Sequence, residues 1–155
     1  AFETFFLQTI FNAPIFILKK ELLRIPIFGW YLKKIGSISI DRNKINKENL
    51  DFLEKIKFST SSTNRPIIIF PQATRVSTED RTPFKKGASR IYEILNIKCQ
   101  PVAINSGSVW PKSGKLSSNK TITVSILNQI NTGMDGKNFT ETLQKSIYDE
   151  LDLIS

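Results

Sequence analysis

Ile67-Ile68-Ile69-Phe70-Pro71-Gln72-Ala73-Thr74-Arg75 is the stretch on which the fold of this chain turns. Apolar residues, mostly β-branched, run into a proline, small polar residues and an arginine. A run of this kind predicts a strand buried on both faces, the usual state of a central strand in a parallel sheet. In open α/β sheets, ligands sit just beyond the carboxyl ends of the strands. Thr74 and Arg75 would stand at such an end, and an arginine there is a two-pronged donor suited to phosphate or carboxylate. Taken alone, the same letters also fit a surface turn with a solvated arginine.

The pattern recurs twice upstream. Ile15-Phe16-Ile17-Leu18 reads as a strand that exits into Lys19, and Ser37-Ile38-Ser39-Ile40 as one that exits into Asp41-Arg42. If the three strands are parallel, Lys19, Arg42 and Arg75 crowd one edge of the sheet. Arginine occurs only at positions 24, 42, 65, 75, 81 and 90, so two are spent at these exits. Grouping like charges costs free energy unless an anion is bound. A phosphate monoester matches two arginines and a lysine, with Asp41 placed to orient Arg42 or to face outward. The other reading is that the three cations point apart along a solvated rim.

Around these strands the chain reads as helices. Phe2, Phe5, Phe6, Ile10 and Phe11 recur at mostly helical spacing, which predicts a helix to Asn12 with these residues on its buried face. Pro26 suits the start of a helix over Ile27–Ile35, and Gly36 its C′ position. The Phe28, Trp30 and Tyr31 of that helix are either core or a face that meets membrane or acyl chain. Asn46 can cap a helix to about Phe58, and residues 87–95 read as another. Gln100–Ile104 and Thr121–Ile126 read as strands. Asn138-x-x-Glu141 resembles a capping box, opening a last helix with Phe139, Leu143, Ile147 and Leu151 on its core face. The order α-β-α-β-α-β-α-β-β-α predicts an α/β fold, a mostly parallel sheet flanked by helices, as one domain over residues 1–155.

Composition narrows the chemistry. With 155 residues, 40% hydrophobic and 23% charged, the chain is globular. The net charge of +8 suits nucleic acid, anionic lipid or an acidic substrate without choosing among them. The absence of histidine removes the commonest general base, the commonest zinc ligand and every Ser–His or Cys–His pair. One cysteine, Cys99, excludes an internal disulfide and fits a reducing compartment; at a strand start it is expected to be buried and inert. There is no nucleotide-binding glycine loop and no metal-ligating cluster, so no metal or cofactor is expected. No run reaches the roughly 18 apolar residues of a membrane span.

Four blocks, in order, resemble the glycerolipid acyltransferases. Gly36-Ser37-Ile38-Ser39-Ile40-Asp41-Arg42 resembles their G-x-x-F-I-D-R block, Phe70-Pro71-Gln72-Ala73-Thr74-Arg75 their F-P-E-G-T-R block, and Gln100-Pro101-Val102-Ala103 their V-P-V-A block. The segment from Phe16 to Trp30 looks like the one that follows the first block in bacterial 1-acyl-glycerol-3-phosphate acyltransferases. That first block is H-x-x-x-x-D, spelled in some members K-H-Q-S-x-W-E-T. Ala1-Phe2-Glu3-Thr4 is similar to its tail, which would put the histidine upstream of Ala1 and make Glu3 its acidic partner.

The resemblance implies a glycerol-3-phosphate-acyltransferase-like αβ sandwich. It implies transfer of an acyl group from acyl-CoA or acyl-carrier protein to the sn-2 hydroxyl of lysophosphatidic acid, giving phosphatidic acid. In the implied site Glu3 orients the upstream histidine; Lys19, Arg42, Thr74 and Arg75 hold the substrate phosphate; and Gly36, Asp41, Pro71, Gln72, Ala73 and Pro101 shape it. The implied surroundings are the cytoplasmic face of a membrane, reached peripherally or through a segment upstream, with no nucleic acid as partner. Without its histidine the chain as given is expected to be inactive in acyl transfer. Two other readings stay open: a phospholipid-binding protein without turnover, and a basic module for nucleic acid or anionic membrane. The spelling departs from the family at Ser39 (usually Phe), Gln72 (usually Glu) and Ala73 (usually Gly). Gln72 keeps hydrogen-bonding capacity but loses the charge. Ala73 predicts a turn that does not need positive φ.

Overall fold

The computed structural model describes residues 2–40, 48–74, 77, 79–111, 114 and 116–155. Helices and strands alternate along them as α1 (Phe2–Ile10), β1 (Ile15–Lys19), a 3-10 turn (Lys20–Arg24), α2 (Phe28–Lys34), β2 (Ile38–Ile40), α3 (Glu48–Ser61) and β3 (Ile67–Ile69). There follow α4 (Gly87–Leu95), β4 (Val102–Ile104), α5 (Ser106–Val109), β5 (Val124–Ile126) and α6 (Gly136–Ile154). They form two compact units, Ala1–Ile69 and Phe70–Ser155. The α/β alternation expected from the sequence is present among the described residues.

In the first unit three strands pair in parallel in the order β2-β1-β3. Ile17 is level with both Ile38 and Ile69, and Lys19 with Ile40. The central strand is therefore β1, whose Ile15, Phe16, Ile17 and Leu18 are all buried. This corrects the reading of Ile67–Ile69 as the fully buried centre: β3 is an outer strand of this sheet, and its three isoleucines are only partly buried. Runs of β-branched residues report a strand, but neighbour order decides which strand is flanked on both sides. Burying side chains such as Phe16 and Ile15 contributes roughly 2–3 kcal/mol each, so β1 is the apolar anchor of the unit.

The helices around β1 hold a second correction. In α1 the buried residues are Thr4 and Leu7, whereas Phe5, Phe6 and Ile10 are exposed. The face expected to be core is the outer one. Phe5 packs on Phe28 and Tyr31 of α2, at ring-centre distances of 5.8 and 4.9 Å. Helix α2 buries Gly29 and Leu32 instead of its aromatics. It closes as the sequence predicts. Ile35 is the C-cap, Gly36 takes φ +76°, and the Ser37 and Gly36 amides donate to the Leu32 and Lys33 carbonyls. This is the paired-bond glycine ending.

In the second unit β4 and β5 pair antiparallel, Ala103 opposite Ser125; α6 packs against β4, and α4 against α6. Phe139, Leu143, Ile147 and Leu151 are buried along α6 as their spacing requires, joined by Tyr148. Tyr92 of α4 stacks on Phe139 with ring centres 3.9 Å apart. The start of α6 differs from expectation. Asp135 is the N-cap, its carboxylate accepting from the Lys137 and Asn138 amides, so the helix begins three residues before the expected capping box. None of the described helices is long and apolar enough to cross a membrane.

Candidate functional site

Parallel pairing sends β1, β2 and β3 out at one edge of their sheet. At that edge the four buried residues of β1 give way to an exposed Lys19. Lys19 is in register with Ile40, the last residue of β2. Asp41, Arg42 and Arg75 lie outside the described residues. Of the predicted cation group the structure thus places Lys19. Glu3 sits in the first turn of α1, half-buried.

Gly36 lies before β2, at the end of the sheet opposite the exits. Its contribution is to start β2 correctly. A Cβ there would come within 3.2 Å of an Arg65 guanidinium nitrogen, besides requiring the left-handed backbone. Arg65 is the partner that the sequence reading missed. Its guanidinium donates to the carbonyls of Ala13, Pro14 (3.4 Å) and Ile35 (2.7 Å). It ties the residues before β1 to the C-terminus of α2, where a cation also offsets the helix dipole. The signal available in the sequence was only that an arginine preceded Pro66.

The loop after β3 belongs to the second unit. Phe70 to Ala73 closes as a turn, the Ala73 amide donating to the Phe70 carbonyl at 3.0 Å. Pro71 holds the second position of that turn, where a fixed φ helps and no N–H is needed. The Lys85 amide bonds the Pro71 carbonyl at 2.9 Å. Ala73 then takes φ +63°. This overturns the expectation that alanine marks a turn without positive φ: the left-handed backbone is present, and it is populated by a residue with a Cβ. Thr74 follows, exposed.

Gln72 has a defined partner. Its amide nitrogen is 3.4 Å from the Tyr148 hydroxyl, which itself donates to the Thr82 carbonyl. Tyr148 is packed edge-on against Phe84, at 5.2 Å, and under the Arg81 guanidinium, at 5.1 Å. The Phe84 amide bonds the Gln144 side chain at 2.9 Å. The loop and the stretch 82–85 are therefore fastened to one face of α6. A hydroxyl whose proton is already used can only accept, so residue 72 must donate. Gln can do so and an ionised Glu cannot.

Pro101 is buried ahead of β4, and its carbonyl accepts from the Leu127 amide at 3.0 Å. Asn105, directly after β4, is a buried clasp. Its amide donates to the Thr121 and Ile154 carbonyls and its oxygen accepts from the Thr123 amide. Cys99 is half-buried, and burial pushes its thiol up to about 11. The carboxyl of Asp135 is held low by the Asn138 amide. Burial raises the Tyr31 phenol. An open groove of about 670 Å³ between β2 and α3, lined by Ser39, Lys55 and Phe58 among others, includes none of the predicted site residues.

A model of the Acyltransferase family matches residues 3–105, from Glu3 through the Asn105 clasp. The chain belongs to the acyltransferase family. Among curated relatives, a 1-acyl-sn-glycerol-3-phosphate acyltransferase of Pseudomonas aeruginosa is 35% identical over 112 residues, 72% of this chain and 43% of that protein. Another of the same name, from Helicobacter pylori, is 41% identical over 96 residues, 61% of this chain and 40% of that one. This acyltransferase chain spans about two fifths of the length of those relatives. The crystal structure of the 1-acyl-sn-glycerophosphate acyltransferase PlsC from Thermotoga maritima superposes with a TM-score of 0.67 at 19% identity, over 90% of this chain and 56% of that one. It shares the fold.

Proposed function

We propose that this chain is the core of a 1-acyl-glycerol-3-phosphate O-acyltransferase. The acyl group would come from acyl-CoA or acyl-carrier protein, the acceptor would be the sn-2 hydroxyl of lysophosphatidic acid, and phosphatidic acid would leave for phospholipid synthesis. The observation that carries the reading is the parallel β2-β1-β3 sheet, whose strand ends at Lys19, Ile40 and Ile69 all fall within the residues 3–105 that match the acyltransferase family. In this mechanism a histidine takes the proton of the acceptor hydroxyl, and Glu3 holds the tautomer of that histidine. The oxygen attacks the thioester carbonyl. The tetrahedral intermediate expels the thiolate, which recovers the proton from the histidine, and no acyl-enzyme forms. Lys19, Arg42, Thr74 and Arg75 bind the phosphate, so that binding energy fixes the hydroxyl against the base. The 155 residues contain no histidine, so the base must come from outside them. The lipid acceptor makes a membrane surface the working place, on the cytoplasmic side, where Cys99 would stay reduced.

Thioester cleavage should be measured on the 155-residue chain and on the chain extended upstream, with lysophosphatidic acid as acceptor. The extended chain is expected to turn over and the shorter one not. Equal strong activity in both would refute the assignment of the base. Replacing Arg75 by Ala in the active form should raise KM for lysophosphatidic acid at least tenfold and leave KM for the thioester nearly unchanged, as loss of a charge-assisted phosphate contact implies. Unchanged acceptor kinetics would remove Arg75 from the phosphate site.

A further inference from the structure

The corner between the 3-10 turn and α2 presents apolar side chains to solvent under strain. Arg24, Ile25, Pro26 and Ile27 are exposed in succession, Ile25 at 45% and Ile27 at 84%. Ile27 has φ +63° and ψ −56°, and the Phe28 amide bonds the Pro26 carbonyl at 2.6 Å across it. That is a three-residue turn in its strained, positive-φ form, which a β-branched residue adopts least readily. Strain of this sort persists only where the surroundings enforce it. Here they do: a Cβ on Gly29 would lie 2.2 Å from the Leu23 carbonyl oxygen, so α2 is seated directly on the 3-10 turn.

One helical turn beyond Ile27, Trp30 is 64% exposed. Lys33 and Lys34 follow on the same side, both exposed, with the Lys34 ammonium 4.9 Å from the centre of the Trp30 ring. The face thus has an apolar crest, Ile25, Ile27 and Trp30, and a basic rim, Arg24, Lys33 and Lys34. Tryptophan beside lysine is the composition of a segment that lies in a bilayer interface, with the ring at headgroup depth and the ammonium reaching anionic headgroups.

We infer that this corner is a docking face for an anionic bilayer surface. It deepens the membrane part of the proposed function, yet its test does not depend on turnover. Charge chooses the occupant. A second copy of this chain would bring the same cations, on a molecule of net charge +8, against the rim, whereas phosphatidylglycerol headgroups complement it. The strained Ile27 is then explained: it holds an apolar side chain at the crest at a cost in stability.

The experiment uses vesicles of phosphatidylcholine with and without phosphatidylglycerol, and the chain in a Trp110→Phe background, so that emission reports Trp30 alone. Binding to anionic vesicles is expected to shift Trp30 emission to the blue, to allow quenching by brominated acyl chains, and to weaken as salt rises. Replacing Lys33 and Lys34 together by Ala should lower affinity roughly tenfold or more, from the contribution of each basic residue near an anionic surface. Ile27→Gly should lower affinity several-fold and raise the midpoint of thermal unfolding, a pairing of effects that general damage to the fold would not give. Three results would overturn the proposal: unchanged Trp30 emission with anionic vesicles, equal affinity of the Ile27→Gly variant, or a concentration-dependent dimer lost in that variant, which would make the face a self-association surface. Vesicle binding by a chain that proves inactive even when extended would count against the enzymatic reading alone.

Discussion

Replacing Ala73 by Gly tests the conformation of the loop at the centre of the proposed site. Ala73 has φ +63°. A residue with a Cβ in the left-handed region costs about 1–2 kcal/mol relative to its usual conformations. Glycine has no such cost there, but its freer unfolded chain takes back about 0.4–1 kcal/mol. The difference leaves Ala73→Gly more stable by about 0.5–1 kcal/mol, or an increase of about 1–4 °C in Tm for a chain of this length. The loop is fixed by bonds that do not involve the Ala73 side chain, from the Lys85 amide to the Pro71 carbonyl and from Gln72 to Tyr148, so the substitution should leave its course unchanged. Denaturant and thermal unfolding of the wild type and variant measure the effect. Ala88→Gly serves as control, because Ala88 is buried within α4 and a glycine in a helix should cost about 1 kcal/mol or more. If Ala73→Gly lowers stability as Ala88→Gly does, residue 73 is not left-handed in solution and the account of this loop fails.

Three further outcomes follow from single contacts. Gln72→Glu should lower stability by about 1 kcal/mol, because a carboxylate offers no donor to the Tyr148 hydroxyl, and the same change should cost much less in a Tyr148→Phe background, which has already lost its bond to Thr82; equal costs in the two backgrounds would refute the pairing. Arg65→Ala should cost about 2–3 kcal/mol for bonds from a charged donor to three carbonyls, and Arg65→Lys should recover less than half, since an ammonium lacks the planar fork; unfolding curves that match the wild type would show the clasp to be idle. Burial stabilises the neutral thiol of Cys99, so its contribution to stability is fully present below about pH 8.5, the ordinary thiol value, and is lost as the pH rises toward about 11; alkylation by iodoacetamide near pH 8 should be far slower on the folded than on the unfolded chain, and equal rates would contradict the shift.

What the sequence disclosed and what it hid have separate causes. The face of α6 was legible because Phe139, Leu143, Ile147 and Leu151 recur every four residues and the helix is long. The exits of β1 and β2 were legible because apolar runs end abruptly in charge. The centre of the sheet was not: Ile67–Ile69 is the more uniformly β-branched run, yet the order β2-β1-β3 puts Ile15–Leu18 between two neighbours, and pairing order is not written in any one strand. The outward aromatics of α1 were misread because helical spacing identifies a stripe without saying which side of it meets the core. In α6 a pattern that looked like a capping box outranked Asp135, although an aspartate before the helix caps equally well. Arg65, Asn105 and Tyr148 were hidden because each makes bonds across 16 residues or more of sequence, and no local pattern announces such a contact.

The two letters that break the family spelling after β3 differ in kind. Gln72 is supported by its surroundings: with the Tyr148 proton committed to Thr82, an amide is the group that completes the bond. Ala73 is tolerated by its surroundings, which hold the backbone at positive φ without help from the side chain. Both facts point to the same cause. The loop takes its shape from Pro71, Lys85 and the face of α6 carrying Gln144 and Tyr148, so residues 72 and 73 respond to that shape and do not set it. An ionised carboxylate at position 72 would have to rearrange the Tyr148–Thr82 bond before it could do anything else. In the proposed mechanism the loop's contribution to an anionic substrate would therefore rest on the residues that follow, Thr74 and Arg75. That is why Arg75, and not Gln72, is the substitution expected to separate acceptor binding from thioester binding.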